Sequence, residues 1–440
     1  MGLNETPSAA RVHIGFFGRR NTGKSSLVNA VTGQELAVVS DIKGTTTDPV
    51  YKAMELLPLG PVVIIDTPGF DDEGKLGELR VNRTRQVLNK TDVAVLVIEA
   101  GSVKASCFSS TKTGAGKGTK IQSEDEIELC EAEQELIGFF KDKKIPYIVA
   151  VNKCDLISGL SFCDKPGCHN IQITNKDTLP SAPCCPVLVS AKTGYNINLL
   201  KETIAALAVT EESGRHLVAD LIKPLDTVVL VIPIDKAAPK GRLILPQQQV
   251  IRDILEAGAV AVVVRDSELR EVLAGAGNQP ALVITDSQVF AHVSALVPDA
   301  IALTSFSILF ARYKGALEAS VRGVQALDSL RSGDTILICE GCTHHRQCDD
   351  IGTVKLPRMI QDYTGTELQF CFCSGGDFPA DLSSYAMIIH CGACMLNDRE
   401  MQYRRRCAGD QHIPFTNYGI TIAHIQGILR RSIAMFGITS

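Results

Sequence analysis

Tryptophan is missing from all 440 residues, and only 5% of the chain is aromatic. A nucleic-acid module that stacks bases on aromatic side chains within a basic field therefore has little to build on. No extended Lys/Arg block compensates, and the formal net charge is −5, so nucleic acid is not expected as the main partner. No apolar run is long enough to span a bilayer, and no charged-then-apolar secretory signal starts at Met1. A cytoplasmic protein without a membrane partner is expected. With 45% hydrophobic and 21% charged residues the composition is that of a soluble globular chain, and its length suggests roughly two to four domains.

Cysteine, in contrast, is abundant at fifteen residues. Without an export signal these read as reduced thiols, which makes metal ligation a reasonable use for some of them. Eight of the fifteen (Cys339, Cys342, Cys348, Cys371, Cys373, Cys391, Cys394 and Cys407) lie in the last quarter. That asymmetry marks a separate domain.

The pattern along the chain is α/β throughout. Apolar runs at Val12–Phe17, Val62–Asp66, Val93–Ile98, Ile145–Asn152 and Pro186–Ser190 alternate with helical stretches such as Ser25–Val31 and Arg80–Leu88. This reads as an open parallel sheet with helices on both faces, over residues 1–212. Two polar insertions, Ser102–Ser123 and Ser158–Pro183, read as surface loops. Residues 213–328 repeat the alternation, with strands expected at 227–234, 260–264, 281–285 and 301–303 and a helix through Gln247–Ala257. The runs Val228–Ile232 and Ala261–Val264 are wholly apolar, so both faces of that sheet should be covered. Residues 329–440 carry expected strands at 335–338, 368–372 and 386–389, and a closing helix over Ile420–Phe436.

The sequence Gly18-Arg19-Arg20-Asn21-Thr22-Gly23-Lys24-Ser25, which follows the first apolar run, has the spacing of a phosphate-binding loop. Its glycines allow backbone N–H groups to approach phosphates closely, and the helix after it adds its positive end. Lys24 is placed for the β- and γ-phosphates and Ser25 for magnesium, with Thr22, Gly23 and Ser26 lining the loop. Three further signals follow in order. Asp66-Thr67-Pro68-Gly69 ends a strand, where Asp66 can hold magnesium through water and the Gly69 amide can meet the γ-phosphate. Asn152-Lys153-Cys154-Asp155 ends another, and Asp155 suits the paired N1/N2 donors of guanine. Ser190-Ala191-Lys192 ends the last, beside the base.

These motifs resemble translation-factor-like GTPases of the Era and MnmE type over about the first half of the chain. The resemblance implies GTP/GDP and magnesium as ligands and places a switch at Gly44–Asp48, with Thr46, or Thr45 or Thr47 in a shifted register, as a second magnesium-binding hydroxyl. Phe70 stands where Ras-like enzymes orient water with glutamine, and a phenyl ring cannot do so. The resemblance implies instead potassium beside the phosphates, held by Asn21, and slow turnover.

In the last segment Cys391-Gly392-Ala393-Cys394 sits just after an expected strand, putting two thiolates on one turn. Cys342, in Cys342-Thr343-His344, supplies a third thiolate from a distant loop. Three cysteines suit a 4Fe-4S cluster with one iron open or weakly held, for which His344 and His390 are the local candidates. Zinc uses the same residue types. Cys371 and Cys373 share one face of a strand, where core packing is expected. The Cys163–Cys185 group reads as unpaired loop thiols.

Cys-x-His, a long gap, then His-Cys-x-x-Cys behind a GTPase of this type closely resembles the maturation GTPases of iron-only (FeFe) hydrogenase, the HydF family. The resemblance covers the whole chain, including Ala238–Pro246. It implies a P-loop GTPase domain at 1–212, a central dimerisation domain at 213–328 and a cluster-binding domain at 329–440. It also implies a homodimeric scaffold that receives a two-iron precursor cargo built with two radical-SAM maturases and passes it to the apo FeFe-hydrogenase. The competing expectation is a regulatory or RNA-associated GTPase whose C-terminal site is structural zinc.

Overall fold

Alternate residues of the first apolar runs feed two separate cores, and that is what makes them strands of one central sheet. The computed structural model describes residues 8–34, 49–69, 84, 86–102, 110–113, 116–119, 129–156, 186–208, 215–234, 243–275, 279–341 and 350–438. They divide into two compact units, Met1–Ser213 and Gly214–Ser440. The strands of the first unit are β1 (Val12–Phe17), β2 (Val50–Leu56), β3 (Gly60–Asp66), β4 (Val93–Glu99), β5 (Ser110–Thr113), β6 (Gly116–Thr119), β7 (Tyr147–Asn152) and β8 (Val187–Leu188). Six of them form a sheet in the order β2-β3-β1-β4-β7-β8.

One face, through Ile14, Phe16, Ile64 and Val95, packs on Leu27, Val28 and Val31 of α1 (Lys24–Thr32). The other, through Phe17, Ile65 and Leu96, packs on Leu136, Ile137 and Phe140 of α2 (Glu131–Asp142). A third helix, α3 (Ile197–Ala208), joins the first core through Ile197, Leu200 and Ile204. The α/β class is as expected. The all-parallel expectation is corrected in one place: β2 pairs antiparallel with β3. Most of β2 is exposed, so no apolar run marks it. The insertion expected as loop contains the antiparallel ribbon β5–β6.

The second unit holds two sheets of four parallel strands. The first comprises β9 (Thr227–Val231), β10 (Val260–Val264), β11 (Leu282–Thr285) and β12 (Ala302–Ser305), ordered β10-β9-β11-β12. The second comprises β13 (Thr335–Glu340), β14 (Gln369–Ser374), β15 (Met387–His390) and β16 (Phe415–Asn417), ordered β14-β13-β15-β16. The helices are α4 (Leu245–Glu256), α5 (Leu269–Gly275), α6 (Phe290–Leu296), α7 (Phe306–Tyr313), α8 (Leu317–Val324), α9 (Leu356–Thr364), α10 (Asp398–Asp410), α11 (Tyr418–Ile425) and α12 (Leu429–Ile433).

Both sheets have the same winding, and one core joins them: Val229, Val283 and Leu303 share it with Ile336, Met387 and Ile389. In each sheet the chain leaves the first strand to one side and later returns to its other side. In the second sheet that reversal separates β13 from β15, and the crevice beyond the carboxyl ends of such a pair is where open α/β sheets place ligands.

Three expectations change here. The single closing helix is broken into α11 and α12, because Gly427 turns the backbone left-handed at φ 71°. Edge strand β10 is covered on neither side completely, with Val260 and Val263 each 46% exposed. Cys371 is exposed on edge strand β14 rather than packed in the core. No helix among the described residues is long and apolar enough to cross a membrane.

Candidate functional site

The phosphate loop runs from the end of β1 to the start of α1, and its two glycines occupy conformations that a side chain would obstruct. Gly18 has φ 150° and Gly23 φ 84°. A β-carbon on Gly18 would strike the Val97 carbonyl oxygen, and one on Gly23 the Asn152 side-chain amide. Asn21 is left-handed too, at φ 62°, and exposed. Thr22 is buried and its hydroxyl donates to the Arg19 carbonyl at 3.0 Å. The Lys24 ammonium donates to the carbonyls of Gly18 (2.7 Å) and Arg19 (2.6 Å), which spans the loop with one cation. Ser26 follows in the first turn of α1.

Ser25 and Asp66 meet at this loop. The Ser25 hydroxyl donates to Asp66 Oδ2 at 2.7 Å, while Asp66 Oδ1 is buried with no hydrogen-bond partner. Burial raises the Asp66 pKa above the usual carboxylate value, opposed by the Ser25 hydrogen bond and the Lys24 charge. An orphaned carboxylate oxygen beside a serine hydroxyl and a phosphate loop is the donor set that magnesium takes, so the residues present fit that ion. The Thr67 hydroxyl, buried and bonded to the Phe16 carbonyl at 2.6 Å, fixes the Asp66–Gly69 turn against the loop.

The segments 152–155 and 190–192 are tied to the same loop. Asn152 is buried; its side-chain amide donates to the Thr22 carbonyl at 3.0 Å, and its Oδ1 accepts from the Ala191 amide at 3.1 Å. The Ser190 hydroxyl donates to Asp155 Oδ1 at 2.6 Å, which fixes the position of that carboxylate. Lys153 takes φ 63° and pairs with Glu99 at 2.8 Å, and Lys192 is exposed. Cys154 is buried and its thiol pushed up to about 11, chiefly by burial, so it serves as packing. Thr46, Phe70 and the rest of Gly44–Asp48 lie outside the described residues.

One contact here carries no sequence signal: Arg19 pairs with the buried Glu133 carboxylate at 2.8 Å and so anchors the loop to α2. Because Asn152 bonds both the phosphate loop and the Ser190–Lys192 segment, Asn152→Ala is expected to weaken GDP binding about tenfold or more, the loss of one to two buried hydrogen bonds. Titration with fluorescent GDP checks it, and an unchanged Kd refutes the linkage.

At the second sheet, the carboxyl ends of β13 and β15 bring Gly341 and Cys391 together. The Cys391 amide donates to the Cys339 carbonyl at 2.8 Å. The Cys391 sulfur in turn accepts from the amides of Gly341 (3.0 Å) and Ala393 (3.4 Å). Ala393 adopts φ 56° to make this turn. Two amides aimed at one sulfur favour its thiolate, the form that ligates soft metals. Cys391 and Cys394 are both partly exposed thiols. Cys342 and His344 lie outside the described residues, as does the Cys163–Cys185 group. Among the described residues no three His, Cys, Asp or Glu side chains converge as a metal site.

His390 is fully buried; Nδ1 lies 2.9 Å from the Cys391 carbonyl and Nε2 lies 3.0 Å from Arg404 Nη1. Burial, then the Arg404 charge, lowers its pKa to about 3, so it is a neutral imidazole donating from Nδ1 and accepting at Nε2. Both ring nitrogens have protein partners in this structure, and the Nδ1 contact ties the ring to the backbone of the Cys391 turn.

Arg404, which the sequence did not single out, is the buried cation of this region. Its side chain has no solvent exposure, pairs with Glu400 at 2.8 Å, bonds the Gly375 carbonyl and lies over the Phe378 ring. The only hint in the sequence is the four-residue spacing of Glu400 and Arg404, which is common on solvated helices. Arg404→Met leaves Glu400 buried and unpaired, and is expected to destabilise the second unit by about 3–5 kcal/mol. Chemical denaturation followed by circular dichroism checks it; a loss under about 1 kcal/mol would mean the pair is surface-like.

Comparison with known proteins follows the same division. Residues 13–153 match the family described as 50S ribosome-binding GTPase, residues 217–315 the Hydrogen maturase F dimerization domain, and residues 318–435 the Hydrogen maturase F tetramerization domain. GTPase Der of Wolinella succinogenes is 31% identical over 224 residues, 50% of this chain and 40% of that protein. GTPase Era of Heliobacterium modesticaldum is 26% identical over 254 residues, 53% of this chain and 74% of that protein. The chain thus spans less than half the length of the Der relative. A crystal structure of an Aquifex aeolicus Era variant bound to GDP and AlF4- aligns with 60% of this chain and 98% of its own, at TM-score 0.31 and 20% identity.

Proposed function

We propose, starting from a chain that belongs to the hydrogen maturase F family and carries its two oligomerization domains behind a GTPase domain, that it is a GTP-hydrolysing scaffold of FeFe-hydrogenase maturation. In this reading it holds a 4Fe-4S cluster through Cys391, Cys394 and Cys342 and delivers a two-iron precursor to the apo-hydrogenase. The observation that carries the cluster half is the amide pair from Gly341 and Ala393 on the Cys391 sulfur. Cys342 is the residue after Gly341 in sequence, which fits a shared site with Cys391. His344 and His390 are the local candidates for the open iron, with an exogenous ligand as the alternative.

The chain's own residues divide the work at the nucleotide. Lys24 and the loop amides bind the phosphates, and Asp155, held by Ser190, reads guanine. Ser25, Asp66 and Thr46 would hold magnesium, which supplies charge neutralisation between phosphate oxygens when bound. Thr67 and Asn152 keep the loop and the strand ends in register. Asn21 would hold potassium, so exchange of potassium for sodium is expected to slow turnover several-fold; equal rates would remove the cation role and leave the GTPase reading in place. The exposed apolar residues Val260 and Val263 on edge strand β10 support association of the central domain with a second copy. The two radical-SAM maturases and the apo-hydrogenase are the further partners of this reading.

Anaerobic purification and reconstitution, followed by iron, sulfide and zinc analysis, tests the function directly. Iron and sulfide in near-equal amounts support the scaffold. Zinc alone, bound tightly with no sulfide, would instead favour a regulatory GTPase with a structural metal site.

A further inference from the structure

Away from both sites, a concave groove of about 710 Å³ opens between α8 and α10 above the approach to β16. Its charged and titratable lining is Arg215, Lys314, Arg322, Arg405, Arg406 and His412, and no Asp or Glu lines it. In a chain of formal net charge −5, such a concentration of one sign is a local feature that the average composition opposes. The walls are small residues, Ala319, Gly323 and Gly409 among them, and the floor is Ile413, Pro414 and Phe415. Gly323 is required there, since a β-carbon would collide with the Phe415 carbonyl.

The cations are only partly neutralised. Asp398 pairs with Lys314 at 2.6 Å and with Arg215 at 3.2 Å, which satisfies one end. At the other end Arg322 has only Glu318 at 3.9 Å, with both side chains nearly three-quarters exposed, an arrangement that contributes little. Arg405 gives one weak bond to the Lys314 carbonyl at 3.5 Å, and its Nε is buried without a hydrogen-bond partner. Neither Arg406 nor His412 has an ion pair among the described residues. Uncompensated guanidinium groups around a concave apolar floor are a recognition surface for planar oxyanions.

We propose that this groove binds a small polyanion of nucleotide size, bearing phosphate or carboxylate groups on a compact body. The volume falls within the range of small-ligand pockets, roughly 300–1,000 Å³. The overall negative charge of the chain disfavours a nucleic-acid strand. The arginines of α8 and α10 bind the anionic groups, and the body rests on Pro414 and Ile413. The site is independent of the cluster reading, since none of these residues belongs to either site described above.

The test uses the full chain and two probes, inorganic pyrophosphate and citrate, titrated calorimetrically at low ionic strength. Wild type is compared with Arg322→Gln/Arg406→Gln, which removes two exposed cations, and with Ala319→Leu, which narrows the groove and leaves every charge. The nucleotide head is the same in all three, so any difference between them belongs to the groove. At least one probe is expected to bind wild type in a salt-sensitive manner and to weaken about tenfold or more in both variants, equivalent to about 1.4 kcal/mol. GTP hydrolysis should be unchanged in each. The tighter probe identifies the anion as phosphate or carboxylate. Identical isotherms in the three proteins overturn the proposal, as does binding of an octaglutamate peptide when neither small anion binds.

Discussion

Cys391→Ala/Cys394→Ala, reconstituted anaerobically with iron and sulfide, is expected to retain iron only at the level of a metal-free control. Each change deletes a strong anionic ligand, and the Cys391 change also leaves the Gly341 and Ala393 amides aimed at a methyl group. A cluster bound by one remaining cysteine has too few covalent anchors to survive gel filtration. The appropriate control is Cys371→Ala, because that thiol is exposed on edge strand β14 and should leave the iron content unchanged. GTP hydrolysis should persist in all of these variants, since the nucleotide site draws only on residues of the first unit. Wild-type iron and sulfide in the double variant would end the cluster assignment and, with it, the scaffold reading.

Lys24→Ala is expected to lower the rate of GTP hydrolysis by about 10²–10³-fold or more, the scale on which single preorganised donors stabilise developing charge. Two effects combine. The ammonium that binds the β- and γ-phosphates is lost, and so is the cation that spans the Gly18 and Arg19 carbonyls. Asp66 also loses a positive neighbour that opposes its raised pKa, so its ionised form becomes harder to maintain beside Ser25. Lys24→Arg is expected to rescue little, since a planar guanidinium does not fit a buried position built for a point charge. Phosphate release under saturating GTP measures the rate, and activity within about twofold of wild type would remove Lys24 from the reaction.

The nucleotide site was legible in the sequence because its chemistry is carried by backbone amides and short polar side chains at fixed spacing. Gly18, Gly23, Asp66, Asn152, Asp155 and Ser190 fall at or just after strand ends or in the phosphate loop, and Lys24 and Ser25 open the helix that follows it. The same holds for Cys391 and Cys394, whose spacing and position after an apolar run were readable directly. Strand β2 was not, because an edge strand with an exposed face shows no apolar periodicity. The break between α11 and α12 was obscured because the apolar pattern continues through Gly427.

What could be read from residue order is therefore local: the strand-helix alternation from its apolar runs, the phosphate loop from its glycines, and the thiol pair from its spacing. The folded chain sets which side chains share an environment. It turned His390 inward against Arg404, closed the Arg19–Glu133 contact between elements 114 residues apart, and fused two sheets of like topology around one core. It also gathered the arginines of α8 and α10 into a groove that no stretch of sequence displays. The physical reason is that spacing fixes a side chain's direction from its own backbone, whereas burial and charge pairing depend on which distant segment packs against it.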